Sequence, residues 1–271
     1  MTQMIDTESV ASYIRETARA VILPRFRALG RGDVREKKPG DPVTIADTEA
    51  EQELTRRLKT VIPGANVLGE ESVAEDASRL DWLSAEAPCW IIDPIDGTSN
   101  FVRGNVGFAV IVALASQGQV EAGWIYNPLG EVMISAVKGQ GAWSAGKRLE
   151  VNRDVPPEKL TGAAYGRTKS GVRAGRALND SGRIRGTHNQ GCSGLEYMSI
   201  AQGLAQFSLH SRSLPWDHAA GMLIVHEAGG VGSFLEGGAY DARILDRAVL
   251  AATTPQAWRT VHDVVTGNVG A

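Results

Sequence analysis

Between Cys89 and Val151 the chain carries five β-rich runs in direct succession, and this block constrains the fold more than any other stretch. The runs are CWIID, FAVIVALA, VEAGWIYNP, EVMISAVKG and GAWSAGKRLEV, with Gly, Asn or Gln-Gly-Gln turn signals between them. Consecutive strands joined by such short turns pair antiparallel, so the block predicts a meander. Helical patterns lie on both sides of it. From Thr7 to about Leu29 the apolar positions Val10, Ile14, Ala18, Val21 and Ile22 recur at helical spacing, which predicts an amphipathic helix closed by Gly30. GRGDVREKKPGDP then reads as a loop or exposed hairpin. A second helix fits Asp47 to Val61, with Leu54 and Leu58 on its buried face and Pro63-Gly64 as its stop. Beyond the meander, LEYMSIAQGLA and HAAGMLIVHEAGG are helical, the latter ending in paired glycines that suit a C-terminal cap. Helices, then consecutive strands, then mixed elements predict a layered α+β architecture.

The 271 residues suit one large domain or two joined halves, with a soft division near residue 155 in DVPPEKL. We expect the halves to form one unit spanning residues 1–271. The 28 basic and 31 acidic residues leave a net charge of −3, which excludes a chain whose main ligand is nucleic acid. A small anion is still allowed, because the sign of a site is local. Cys89 and Cys192 are the only cysteines, so a reducing compartment is the better fit than a disulfide framework. The start, MTQMIDTESV, has no basic segment followed by an apolar run, and the most apolar stretch, Phe108 to Ala115, is too short to span a bilayer. The expectation is a soluble, cytoplasmic protein.

Three acidic clusters carry the chemistry. Gly69-Glu70-Glu71 follows the strand-like NVL, Asp93-Pro94-Ile95-Asp96-Gly97-Thr98 follows WII, and Trp216-Asp217 opens a helix. Pro94 disfavours a helical Asp93, so Asp-Pro-Ile-Asp is expected to leave its strand as a tight turn. Both carboxylates then converge, and the Ile95 carbonyl is left without a ladder partner. Carboxylates and carbonyls are hard ligands that suit Mg²⁺ or Mn²⁺ rather than Zn²⁺. At Gly97 and Thr98 a helix start would point N–H groups at an anion. Cations beside free N–H groups suit phosphoryl transfer to water. Each cluster alone has an ordinary explanation, as a turn, a solvated acid pair or an N-cap. It is the combination, placed at strand ends and helix starts, that points to a site.

At these residues the chain resembles the inositol monophosphatase family of Mg²⁺-dependent, lithium-sensitive sugar-phosphate phosphatases. The resemblance runs through DPVTIADTEAE (41–51), LGEES (68–72), WIIDPIDGTSNFVRG (90–104), GWIYNPLGEVMISAVKGQGAW (123–143) and PWDHAAGMLIVHEAGG (215–230). It implies an αβαβα sandwich and two or three Mg²⁺ ions, with Mn²⁺ as a possible substitute. It also implies a small phosphorylated polyol, sugar or nucleotide as substrate, and a homodimer. By resemblance, Glu70, Asp93 and the Ile95 carbonyl hold one metal, and Asp93, Asp96 and Asp217 a second, with Asp93 bridging. Glu71 resembles the acid that positions a third metal or its waters. Asp47 and Thr98 resemble the pair that orients the attacking water, and the Gly97 and Thr98 N–H groups match phosphate contacts. The implied reaction is in-line attack without a phosphoenzyme. Lys37 or Lys38 falls near a basic residue of the family's mobile first loop.

The substrate side departs from the pattern. His210, in SLHSRSLPWD, stands where the family has an inositol-binding acid, and Cys192 and Ser193 match the small residues that line the sugar. His210 reads either as a contact to a hydroxyl, or to an anion when protonated, or as a strand histidine satisfied by the backbone. Arg212, two residues on, would face the same side in a strand. Relatives of this fold hydrolyse fructose 1,6-bisphosphate, 3′-phosphoadenosine nucleotides or histidinol phosphate, and these remain alternative substrates. A regulatory binding protein is the alternative of a different class. The retained Asp47, Glu70, Asp93, Asp96, Thr98 and Asp217 argue against it.

Overall fold

The computed structural model describes residues 6–165 and 169–268. The first helix, α1 (Thr7–Thr17), is capped by Asp6, whose carboxylate accepts from the Ser9 N–H at 3.0 Å. It ends earlier than its apolar spacing predicts. The chain widens into a π turn over Ala18–Ile22, where the Leu23 N–H bonds the Ala18 carbonyl, and then tightens into a 3₁₀ turn, Leu23–Arg25. Pro24 is the cause, because it has no N–H for the preceding turn and its ring crowds the carbonyl there.

The charged segment after it is a hairpin, β1 (Val34–Lys38) paired antiparallel with β2 (Asp41–Thr44). Helix α2 (Ile45–Val61) begins two residues before the expected start. Thr44 and Asp47 form a reciprocal capping box, with the Thr44 hydroxyl accepting from the Asp47 N–H and the Asp47 carboxylate accepting from the Thr44 N–H. Its buried stripe is Ala46, Asp47, Ala50, Glu51, Leu54 and Leu58, so two carboxylates sit among apolar neighbours.

Strand β3 (Asn66–Gly69) leads into the short helix α3 (Glu70–Glu75), and β4 (Cys89–Asp96) into the equally short α4 (Thr98–Val102). The predicted meander follows as β5 (Ala109–Ser116), β6 (Gln119–Asn127), β7 (Val132–Val137), β8 (Ala142–Ser144) and β9 (Lys147–Arg148). These strands form one sheet in chain order from β3 to β9, with β3 parallel to β4 and every later pair antiparallel. A second sheet holds β10 (Thr161–Tyr165), β11 (Gly186–His188), β12 (Phe207–His210), β13 (Val231–Phe234) and β14 (Val249–Ala252), in the order β11-β10-β12-β14-β13. Among these lie the helices α5 (Lys169–Asp180), α6 (Ser193–Ala201), α7 (Pro215–Glu227) and α8 (Pro255–Thr266).

The period-2 alternation of β5 explains the layering. Val110, Val112 and Leu114 pack with α1 and α2 residues such as Val10, Ile14 and Leu54, while Ala109, Ile111 and Ala113 pack with Tyr197 of α6 and Ala219, Ala220 and Leu223 of α7. The large sheet is buried on both faces, so its central strands read as unbroken apolar runs. A third cluster joins Leu209 and Leu250 of the second sheet to Leu178 of α5 and Val261 of α8. The layers are therefore α1/α2, large sheet, α6/α7, small sheet and α5/α8, the αβαβα sandwich expected. Helix α7 ends as its glycines predicted, with Gly229 at φ +87° and its N–H bonded to the His226 carbonyl.

Candidate active site

The central acidic segment does not leave β4 as a turn. It stays in the strand as a bulge: Asp93 faces Ile111, Asp96 faces Ala109, and Pro94 and Ile95 bow out between them. Proline cannot donate to the ladder, and a bulge absorbs that loss while the strand resumes at Asp96. The bulge is locked by the Ile95 N–H donating to Asp93 Oδ1 at 3.1 Å. The Ile95 carbonyl accepts from the Thr98 hydroxyl at 3.0 Å, and the same hydroxyl lies 3.2 Å from Asp47 Oδ1. Gly97, at φ +90°, starts α4. A Cβ there would lie 2.6 Å from the Gly107 carbonyl, so both conformation and space require glycine.

Asp217, in the first turn of α7, completes the cluster. Asp93, Asp96 and Asp217 each offer a carboxylate oxygen, and these oxygens all lie within 4.8 Å of one another. Asp93 is 1% exposed. Burial, followed by the charges of Glu70, Asp96 and Asp217, holds its carboxyl well above the usual range. Asp217 is raised by burial and by Asp96 and Glu70, against a hydrogen bond with Asp93 that lowers it. Asp96 is raised by burial and pulled back by hydrogen bonds from Cys192, Gly194 and Ser193. Burial pushes Asp47 up to about 7 against its bonds from Thr44, and burial plus the Glu70 charge pushes Glu71 up to about 8. Carboxylates packed this closely repel one another, and a divalent cation is the partner whose charge and hard-ligand preference fit the set. All the donors are oxygens, as Mg²⁺ or Mn²⁺ requires.

Of the two candidate lysines, Lys37 reaches the site. Its Nζ lies 2.5 Å from Glu70 and 3.1 Å from Glu71, whereas Lys38 pairs at 3.5 Å with Asp41 and its side chain is 68% exposed. Strand alternation sends the two neighbours to opposite faces. Burial would lower the Lys37 ammonium, but the charges of Glu70 and Glu71 outweigh it and hold the group above its ordinary range. Replacing Lys37 with Ala leaves those acids without their counter-charge. We expect the metal-free thermal midpoint to fall by roughly 3–8 °C, on a scale of about 2–4 °C per kcal/mol for a chain of this size. Lys38→Ala, measured alongside by calorimetry in EDTA, shifts it by no more than about 1 °C, as is usual for an exposed pair. Equal shifts would remove Lys37 from the site.

The residues expected on the substrate side have defined partners. Asp96 Oδ2 accepts from Cys192 Sγ at 3.0 Å, Ser193 Oγ at 3.1 Å and the Gly194 N–H at 2.6 Å, so this turn of α6 grips the acid. His210 is buried at the end of β12, with Nε2 2.6 Å from Ser208 Oγ and 3.4 Å from Glu196. Its ring stacks on Tyr197 and lies 4.6 Å from His218. Burial pushes His210 down to about 3, which favours the neutral, hydrogen-bonding form of the ring over the protonated anion contact. Arg212 does not share its face, because β12 stops at His210 and Arg212 lies exposed beyond it. Three site-building residues escaped the sequence reading. Glu196, pushed up to about 8 by burial, accepts from Ser208, and the Tyr197 hydroxyl meets His218 Nδ1 at 3.0 Å. Glu51 binds the start of α3. For Glu51 a signal existed, since it lies one turn after Asp47 within the apolar stripe of α2.

Comparison with known proteins agrees with this geometry. The inositol monophosphatase family model matches residues 6–266. The chain is 28% identical over 270 residues to the inositol-1-monophosphatase of Bacillus subtilis, covering 97% of each. It is 34% identical over 205 residues to the fructose-1,6-bisphosphatase/inositol-1-monophosphatase of Thermotoga maritima, covering 74% of this chain and 75% of that one. Among solved structures it resembles the Thermotoga maritima IMPase, with a TM-score of 0.80 at 26% identity and coverage of 96% and 97%. This chain belongs to the inositol monophosphatase family and is a phosphoric monoester hydrolase.

Proposed function

We propose that the protein hydrolyses a small polyol or sugar phosphate, inositol-1-phosphate foremost, with Mg²⁺ as cofactor and Mn²⁺ as its substitute. The observation that carries this reading is the convergence of Asp93, Asp96 and Asp217 from two distant segments into one oxygen cluster, with Asp93 and Asp96 buried and Asp217 half-buried. Asp93, Asp96 and Asp217, with Glu70 and the Ile95 carbonyl, would hold the ions, and Glu71 would orient a further ion or its waters. When bound, divalent cations neutralise phosphate charge and lower the pKa of water.

The chain's own groups do the positioning. The Thr98 hydroxyl has one proton, shared between the Ile95 carbonyl and Asp47, so its lone pairs are left to accept from an attacking water. Asp47 is fixed by its bonds to Thr44 and therefore holds Thr98 in one orientation. The Gly97 and Thr98 N–H groups stand at a helix start, where no helical acceptor exists for them, and would bind phosphate oxygens. Cys192 and Ser193 hold Asp96 and would line the polyol side, and His210 would act through neutral hydrogen bonding. Lithium inhibition, a homodimer and a cytoplasmic location belong to the same reading. Among the described residues no helix is long and apolar enough to cross a membrane.

The relatives named for both inositol and fructose phosphates make a substrate panel the deciding experiment. Phosphate release is measured on inositol-1-phosphate, fructose 1,6-bisphosphate, a 3′-phosphoadenosine nucleotide and histidinol phosphate, with Mg²⁺ and with EDTA. We expect inositol-1-phosphate to lead and EDTA to abolish release. Preference for another substrate would replace inositol in this reading. Background rates throughout would favour a regulatory binding protein.

A further inference from the structure

Glu51 has no place in the catalytic scheme above, yet it is a carboxylate 6% exposed and placed in the apolar stripe of α2. Both its oxygens are committed. Oε2 accepts from the Glu71 N–H at 2.8 Å and Oε1 from the Ser72 N–H at 2.9 Å. These N–H groups lie in the first turn of α3, where no acceptor exists within the helix. The residue at the cap position, Gly69, has no side chain to supply one. A Cβ on Gly69 would lie 2.1 Å from the Glu51 carboxyl carbon, so glycine is what lets Glu51 in.

We propose that Glu51 is a positioning residue of the cation site: its carboxylate caps α3 from the neighbouring helix and so aims the Glu70–Glu71 pair at the Asp93 cluster. This rests on the phosphatase reading of that cluster. Asp47 and Glu51 are four residues apart on one face of α2. Through Asp47 the helix holds Thr98, and through Glu51 it holds the Glu71 and Ser72 N–H groups of the turn that starts with Glu70, so one rigid element sets the spacing between the water-orienting pair and that turn. Glu51 itself is not a ligand, because its two oxygens face backbone N–H groups. An amide cannot replace it, because one of its two ends would present N–H to N–H.

The test is calorimetric titration of the full-length, EDTA-stripped protein with Mn²⁺, followed by phosphate-release kinetics at varied Mn²⁺. Glu51→Gln should weaken Mn²⁺ binding about 10-fold and Glu51→Ala about 100-fold, the range over which groups that orient metal ligands act. The rate at saturating cation should fall less than the affinity does. Leu58→Ala provides the comparison. It loosens the same helix about two turns beyond Glu51, and should leave Mn²⁺ affinity within about twofold. If Glu51→Ala does not fold, the near-isosteric Gln variant decides. Wild-type Mn²⁺ affinity in Glu51→Gln, or an equal loss in Leu58→Ala, overturns the positioning role. A folded wild-type protein that takes up no Mn²⁺ overturns the cation-site reading of the acidic cluster and the positioning role with it.

Discussion

Asp93→Asn is expected to lower phosphate release by at least about a thousandfold, roughly 4 kcal/mol of transition-state stabilisation, while the protein stays folded. The side chains are nearly isosteric, and the Asn carbonyl keeps an acceptor for the Ile95 N–H that locks the bulge. What is lost is a negative oxygen at the one position that the charges of Glu70, Asp96 and Asp217 all surround. In the metal-free protein this loss relieves repulsion, so the variant should melt no lower than wild type in EDTA. Added Mg²⁺ should raise the thermal midpoint of the wild type and should no longer raise that of the variant. Circular dichroism, melting curves with and without Mg²⁺, and phosphate release check all three points together. Substantial cation-dependent turnover by Asp93→Asn would end the assignment of Asp93 as the shared ligand.

The second large effect is the pH dependence of the metal-free fold. Asp47 is pushed up to about 7, and Glu71 and Glu196 to about 8, in each case first by burial. In the unfolded chain such groups titrate near 4. Between those values the folded state binds more protons than the unfolded one, so stability falls as pH rises. The contribution is fully present below about pH 4 and is lost as pH climbs through 7 to 8. A divalent cation binds the ionised carboxylates of the folded state only, and opposes this loss by mass action. In EDTA the thermal midpoint should therefore drop between pH 5 and pH 8, by on the order of 10 °C on the scale for a chain of this length. Saturating Mg²⁺ should remove most of that drop. A remainder should persist from Glu196, whose hydrogen bonds run to Ser208 and Gln190 and not to the acidic cluster, and Glu196→Gln should abolish it. A metal-free protein that is most stable at pH 8 would contradict the whole electrostatic account.

Local chemistry was legible in the residues themselves. The antiparallel meander follows from the two-residue alternation and the turns between its strands, and α2 follows from its apolar spacing and its Pro-Gly stop. The convergence of Asp93 and Asp96 follows from Pro94 interrupting a strand. Even there the form was missed, because a turn and a bulge both answer a missing N–H, and only pairing with β5 selects the bulge. Pro24 was overlooked in the same way within the first helical pattern, where the α-helix ends at Thr17 and gives way to π and 3₁₀ turns up to Arg25.

The amino-acid sequence thus determined helix α2 and the strands of the meander, and which oxygen-bearing residues stand at strand ends and helix starts. These follow from contacts between residues near one another in the chain. Only the tertiary structure decided that Lys37 rather than Lys38 faces Glu70, that α6 grips Asp96, and that His210 is buried against Tyr197 and Glu196. It alone put β10 parallel to β11 and β12, and it turned Glu51 toward α3. The physical reason is burial: whether a charged side chain meets water, a cation or a backbone N–H depends on which distant layer covers it, and local spacing contains no record of that layer.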